Sequence, residues 1–281
     1  SGSYSLGTGR IGISVDQARE GVMRRSRSGV VALLGTLLLA GCVAAAPPSR
    51  LTHYIGIATT GEDSASRLPA SRPVRALLVV LYDRSDPESP PGLPEAAQVR
   101  VAESLAAQLN RGYPITVERA VTLGDVGEGG AVPDWSEVAR QQGVDYLLVA
   151  VLSSIEQEYP VSVYLGWTTH RQPGLRRDNW SLVEAALVDG RTGRPLVQAE
   201  GRAMATLDRP TAPGISQWYP VIYLRPQEPE RRLWPPNYEG APITLRLVAM
   251  EDAITQLAGS LQRAWIEQRE HESLHHEVAS W

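Results

Sequence analysis

Asp145-Tyr-Leu-Leu-Val-Ala-Val-Leu-Ser-Ser154 is one of the two most apolar strand-length runs in the chain outside its first 45 residues. A short run that stays apolar at consecutive positions, instead of alternating, reads as a strand buried on both faces. It therefore belongs at the centre of a sheet. The residues before it supply a start and a stop for a short helix. Asp134-Trp-Ser-Glu137 fits a capping box, in which Asp134 accepts from the Glu137 backbone N–H and Glu137 reaches back. The helix runs to Gln142, and Gly143 suits the left-handed position that ends it.

Further towards the N-terminus the pattern repeats. Arg75–Tyr82 (RALLVVLY) is a second continuous apolar run, and Asp86 to Pro94 is a Pro-rich loop. Pro94 to Asn110 places Val101, Ala102, Leu105, Ala106 and Leu109 on one helical face, with Gly112 as a stop signal. Ile115–Arg119 reads as a strand and Gly124 to Pro133 as a Gly-rich loop. On the C-terminal side, Val161–Trp167 alternates weakly. Trp180–Val188 and Leu196–Ala205 flank the turn Asp189-Gly-Arg-Thr-Gly193, which reads as a hairpin. Residues 207–242 hold many Pro and aromatic residues without a period. From about Ile243 to His276, Leu247, Met250, Ile254, Leu257, Leu261 and Ala264 recur at helical spacing.

The expected fold is therefore α/β (α+β): a mixed sheet in β-α-β-α-β-β-β-α order with a long C-terminal helix. It fills residues 74–281 as one domain, with inserts at 156–180 and 207–242.

The first 41 residues follow a different logic. Met23-Arg-Arg-Ser-Arg precedes Val30 to Ala40, eleven almost wholly apolar residues, and then Gly41 and Cys42. A basic stretch, a short apolar stretch and small residues before a cut is the pattern of a signal peptide. Eleven residues are too few to span about 30 Å of hydrocarbon as a helix. Leu39-Ala40-Gly41-Cys42 resembles the bacterial lipobox, which implies cleavage between Gly41 and Cys42 and a diacylglycerol on the Cys42 sulfur. The expected organisation is an upstream extension at 1–22, a signal peptide at 23–41, and a lipidated Cys42 followed by a flexible tether to residue 73. The alternative for the tether is an irregular arm packed on the domain. Val43 leans towards outer-membrane placement, facing the periplasm.

Composition is that of an ordinary globular domain. Cys42 is the single cysteine, so neither an intramolecular disulfide nor a cysteine zinc cluster is available. All 27 basic residues are Arg. Net charge is −4, and it is more negative without the Arg-rich first 41 residues. This balance argues against nucleic-acid partners, which demand a basic face.

Three local patterns carry a resemblance. Leu77–Tyr82 is a strand followed by a helix. Ala139-Arg-Gln-Gln-Gly143-Val-Asp145-Tyr-Leu-Leu-Val is a helix-to-strand step, and Leu187-Val-Asp189-Gly-Arg-Thr192-Gly193-Arg-Pro-Leu is a hairpin. Together they resemble envelope lipoproteins with a TolB-N-terminal-like or CsgG-like α/β domain, and more closely the rhombotarget-type lipoproteins. The resemblance implies a non-enzymatic protein that scaffolds, activates or assembles other envelope components. It names no cofactor.

Two candidate sites remain. His271-Glu272-Ser273-Leu274-His275 fits H-E-x-x-H, which on a helix sets two imidazoles on one face for zinc, with the Glu as base. That would make the chain a zinc-dependent hydrolase through His271 and His275. A solvated helix end accounts for the same polar residues. Separately, Trp167, Trp218, Tyr219, Tyr223, Trp234 and Tyr238 interleave with Arg. Trp, Tyr and Arg are favoured anchors of protein interfaces, so these aromatic residues are the candidate surface for an envelope protein partner. Packing of a long loop onto the sheet is the competing explanation.

Overall fold

A computed structural model of the chain describes residues 47–56, 68–69, 73–112, 114–126, 132–163, 171–211, 221–225, 231–233 and 240–278. In chain order the elements are α1 (Leu51–Ile55), β1 (Val74–Asp83), α2 (Glu95–Arg111), β2 (Ile115–Val126), α3 (Trp135–Gln142) and β3 (Tyr146–Val163). They continue with β4 (Gln172–Asp189), β5 (Pro195–Pro210), β6 (Val221–Arg225), β7 (Arg231–Leu233) and α4 (Ala241–Val278). The sheet order is β2-β1-β3-β4-β5-β6-β7. β1 pairs in parallel with β2 and β3, and the remaining pairings are antiparallel. The fold is thus mixed α/β with a mixed sheet and a long C-terminal helix.

Successive strand residues point to opposite faces, and here both faces are covered. Leu78, Val80, Leu148, Ala150, Leu152, Val183 and Leu187 pack under α2 and α4, against Leu105, Ile254, Leu257 and Trp265. Their neighbours Leu77, Val79, Leu147, Val149, Val151 and Ala186 pack on the other face, against Leu51, Tyr54 and Ile55 of α1 and Trp135 and Ala139 of α3. Double coverage explains why the two deciding runs are apolar throughout.

Local signals act as chemistry dictates. Asp134 Oδ1 accepts from the N–H groups of Ser136 (3.0 Å) and Glu137 (3.3 Å). Glu137 does not complete the box, because its carboxylate turns outward to Arg140 and Gln141. Gly143 (φ 67°) and Gly193 (φ 68°) hold left-handed conformations. Gly201 serves a different purpose. A Cβ there would lie 2.0 Å from the Ala253 carbonyl oxygen and 2.4 Å from the Leu257 nitrogen. This glycine is the notch that lets α4 lie on β5.

Two expectations differ from what is observed. The segment 156–180, expected as an insert, forms the distal halves of β3 and β4, which pair continuously from Tyr146↔Asp189 to Val163↔Gln172. At about 3.4 Å per residue this ladder runs for nearly 60 Å. Beyond Ser153 β3 has lost β1 as a neighbour, so Pro160 sits on an edge, where proline is tolerated. Charged pairs replace apolar patterning there. Glu158 lies between Arg177 (2.9 Å) and Arg209 (3.0 Å), and Arg176 meets Asp208 directly across the β4–β5 pair. Within 207–242, β5 extends to Pro210, β6 and β7 add two short strands, and α4 begins at Ala241. Residues 47–56, part of the segment expected as a flexible tether, are packed against the sheet, as the alternative of a packed arm has it.

Candidate functional site

The packed arm is built around one carboxylate. Glu184 lies in the middle of β4 with 3% of its surface exposed. Its Oε1 accepts from the Ser49 hydroxyl at 2.5 Å. Its Oε2 accepts from the backbone N–H groups of Arg50 (2.7 Å) and Leu51 (3.2 Å). The first N–H groups of a helix have no partner within it, and α1 has no side-chain cap of its own. A carboxylate on a strand therefore does the capping from 134 residues away in sequence. Three further bonds clamp the arm. The Tyr54 hydroxyl donates to Asp83 Oδ2 (2.9 Å), the Trp135 indole N–H donates to the Tyr54 carbonyl (2.7 Å), and Arg202 donates to the Pro47 carbonyl (3.2 Å). Burial first, and then the bond to Asp83, pushes the Tyr54 hydroxyl well above the ordinary tyrosine range.

The opposite face carries a second buried polar cluster. Arg246, in the second turn of α4, makes a bidentate pair with Glu156 (Nε–Oε1 2.6 Å, Nη2–Oε2 3.1 Å), and its Nη1 donates to the Pro91 carbonyl. Asn179 donates to Glu156, Ser181 donates to Asn179, and the Ser154 and Ser181 hydroxyls are 3.1 Å apart. Tyr82, Asp83, Ser154, Arg246 and Met250 line a shallow cleft at the carboxyl end of β1, with about 40 Å³ of solvent-sized space. Open α/β sheets bind ligands at such strand ends, but this volume suits one or two waters. Arg246 is already committed to Glu156 and Pro91. Chemically the cluster fixes α4 and the loop at 89–93 to β3; its hydroxyls end on an amide and an ion pair, not on a base.

Of the residues singled out in the sequence, Gly41, Cys42, Trp167, Trp218, Tyr219, Trp234 and Tyr238 lie outside the described residues. Tyr223 is on β6, in register with Thr206 and Arg232; its side chain lies outside the description, as does that of His275. His271 is exposed near the end of α4. Glu272 instead accepts from the Leu68 backbone N–H (3.0 Å) and from Gln268 (3.3 Å). Beside it, Arg269 donates to the Pro69 carbonyl and stacks over Trp265, 5.7 Å from the ring centroid. This end of α4 therefore holds residues 68–69. Among the described residues, no group of three or more His, Cys, Asp or Glu side chains is placed to hold a metal ion. No helix among them is long and apolar enough to cross a membrane.

No family model and no curated protein matches the sequence. Solved structures do match. The PelC dodecamer from Paraburkholderia phytofirmans is 13% identical, covering 68% of this chain and 92% of that one, with a TM-score of 0.28. A neuraminyllactose-binding hemagglutinin homolog from Helicobacter pylori is 11% identical over 73% and 95%, at 0.32. A lipoprotein from Neisseria meningitidis is 15% identical over 47% and 83%, at 0.27. At these scores the likenesses carry no argument about activity, and the functional reading rests on this chain's own residues.

Sequence reasoning passed over Glu184 and Arg246. The signal was present: Trp180-Ser-Leu-Val-Glu184-Ala-Ala-Leu-Val and Ile243-Thr-Leu-Arg246-Leu-Val each carry one charge inside an apolar run. A charge at such a position is expected to be paired, because leaving it buried alone is costly.

Proposed function

We propose that this chain is a lipid-anchored lipoprotein of the bacterial envelope that serves as a non-enzymatic binding, scaffold or assembly factor. The observation that carries this reading is the docked arm. The lipobox-like Leu39-Ala40-Gly41-Cys42 ends five residues before Pro47, where the chain is already fixed to the sheet through Arg202 and Glu184. A domain bonded to the sequence just behind its anchor suits a protein whose work is done at a membrane surface. The strand and helix order supports the finer TolB-N-terminal-like or CsgG-like classification, and Val43 supports outer-membrane placement facing the periplasm. Trp167, Trp218, Tyr219, Tyr223, Trp234 and Tyr238 are the proposed partner-facing residues.

The zinc-hydrolase alternative gains nothing from the geometry. Glu272, which would have to act as the base, is engaged with Leu68 and Gln268. Metabolic labelling with an alkyne fatty acid, combined with in-cell crosslinking, tests the proposal. Wild-type protein should be labelled and Cys42→Ala should not. Trp218→Ala with Trp234→Ala should lose the crosslinked partner, while His271→Ala with His275→Ala should keep it. Unlabelled wild-type protein overturns the anchoring, and a partner unaffected by the tryptophan changes overturns the surface.

A further inference from the structure

We infer that the docked arm orients the domain on the bilayer: the sheet face carrying α1 and α3 is turned to the lipid surface, and α4 is turned away. The inference rests on the lipid anchor proposed above and adds to it a direction.

The argument is one of reach. Pro47 is five residues on from Cys42, and five extended residues span at most about 18 Å. Pro47 is buried, and its carbonyl is held by Arg202 of β5. Two residues on, Glu184 of β4 takes the Ser49, Arg50 and Leu51 donors. Glu184 belongs to the same face as its alternate neighbours Ala186 and Val188, which pack with α1 and α3. The chain therefore leaves the domain from that face, near the middle of β4 and β5.

The bilayer must come within reach of that point. Seating the outer side of α4 on lipid would carry the anchor past the arm, the sheet and a helix about 10–12 Å thick. The direct route is filled by Leu182, Val183, Ala203, Ala253 and Leu257, all buried. β6 pairs with β5 only from Met204 to Asp208, so the shortest detour passes the free edge of β5 beside Arg202. It must still clear the sheet and the α4 layer, about 20 Å in all, which five residues do not reach. A free tether running from Cys42 to Leu68 would impose no such limit. The orientation is thus a consequence of the Glu184 and Arg202 contacts, not of the lipid alone.

The test uses the full chain, lipidated at Cys42 and bound to phosphatidylethanolamine–phosphatidylglycerol vesicles containing a headgroup acceptor dye. A donor dye is placed by Thr52→Cys on the exposed side of α1 or by Thr255→Cys on the exposed side of α4. His53→Cys and Gln256→Cys serve as second positions should either variant unfold. Energy transfer from α1 should exceed that from α4 by at least about twofold, given the sheet and helix layers between them. Inserting twenty Gly/Ser residues between Ala46 and Pro47 should bring the ratio towards one, because a flexible linker of that length restores a wide range of poses. Equal transfer from both positions, or greater transfer from α4, overturns the inference when mass spectrometry of the same sample shows the lipid on Cys42. An unlipidated Cys42 overturns the anchoring itself, and the orientation with it.

Discussion

The two faces of the sheet are closed by different means. On one face lie α2, 17 residues long, and α4, 38 residues long. They bury Leu105, Ile254, Leu257, Leu261 and Trp265 against the strands. On the other face lie α1, five residues long, and α3, eight residues long. A five-residue helix has no stability of its own. It is held by three apolar side chains, Leu51, Tyr54 and Ile55, and by directional bonds to Glu184, Asp83 and Trp135. The first face is secured by burial and opens only when the domain unfolds. On the second, α1 is secured by a few named groups, so it can open locally while the sheet stays intact. The face closed by the shorter helices is also the one to which the arm behind Cys42 is bonded.

The largest effect should come from breaking the helix face at its tightest point. Gly201→Val places side-chain carbons where the Ala253 carbonyl and the Leu257 nitrogen already stand. Both are backbone atoms that cannot swing aside, so α4 must lift from β5. Overpacking a core commonly costs about 1–3 kcal/mol, and a backbone obstruction belongs at or above the top of that range. Urea unfolding should show a lower midpoint for the whole domain. A local change confined to α1 would contradict the account of this face.

The same contrast explains what was legible in the sequence. Apolar runs at 75–82 and 145–154 placed the central strands, and the Asp134 and Gly143 signals bounded α3, because each depends on local chemistry or on total burial. The distal halves of β3 and β4 were not legible. Glu-Gln-Glu-Tyr-Pro at 156–160 and Gln-Pro-Gly-Leu-Arg-Arg at 172–177 carry no apolar alternation. Their pairing is specified by contacts such as Glu158–Arg177 and Arg176–Asp208, which join residues 19 and 32 positions apart. The arm was legible only as an alternative to a tether: Pro47–Gly56 resembles a linker until Glu184 is brought to it. Charges inside apolar runs were the available clue, but they do not name their partners.

A smaller and more local effect should follow from Glu184→Gln. The amide keeps the shape of the carboxylate but removes its charge and substitutes a donor for one acceptor. The Ser49 hydroxyl can turn to accept from the new amide N–H, and the Arg50 and Leu51 N–H groups keep an acceptor that has lost its charge. A hydrogen bond to a charged group is worth about 1.5–3 kcal/mol against about 0.5–1.5 for a neutral one, and here the arm can escape the loss by undocking. Hydrogen exchange at Arg50 and Leu51, and proteolysis within 47–56, should rise by an order of magnitude or more, while the urea midpoint of the sheet moves little. If the midpoint fell as far as for Gly201→Val, the two faces would be one cooperative unit and the distinction between them would fail.

The finest probe is the pH dependence of the arm. The Tyr54 hydroxyl is neutral when protonated, and in the folded chain burial and the bond to Asp83 hold it protonated above the ordinary value of 10.0, against a smaller opposing pull from Arg50. Below pH 10 both folded and unfolded chains keep this proton, so the contribution is fully present. As pH rises past 10 the unfolded chain ionises first, and the contribution is progressively lost. Tyr54→Phe removes the hydrogen bond and the titrating group together. At pH 8 it should cost about 0.5–1.5 kcal/mol, the net worth of a typical hydrogen bond. At pH 10.5 to 11 the gap between Tyr54→Phe and the wild type should narrow. Tyr146 and Tyr159 shift in the same direction, and both are present in the two proteins, so the difference isolates Tyr54. A gap that stayed constant or widened with pH would mean that the arm is not held by this hydroxyl, leaving Glu184 and Trp135 as its polar clasp.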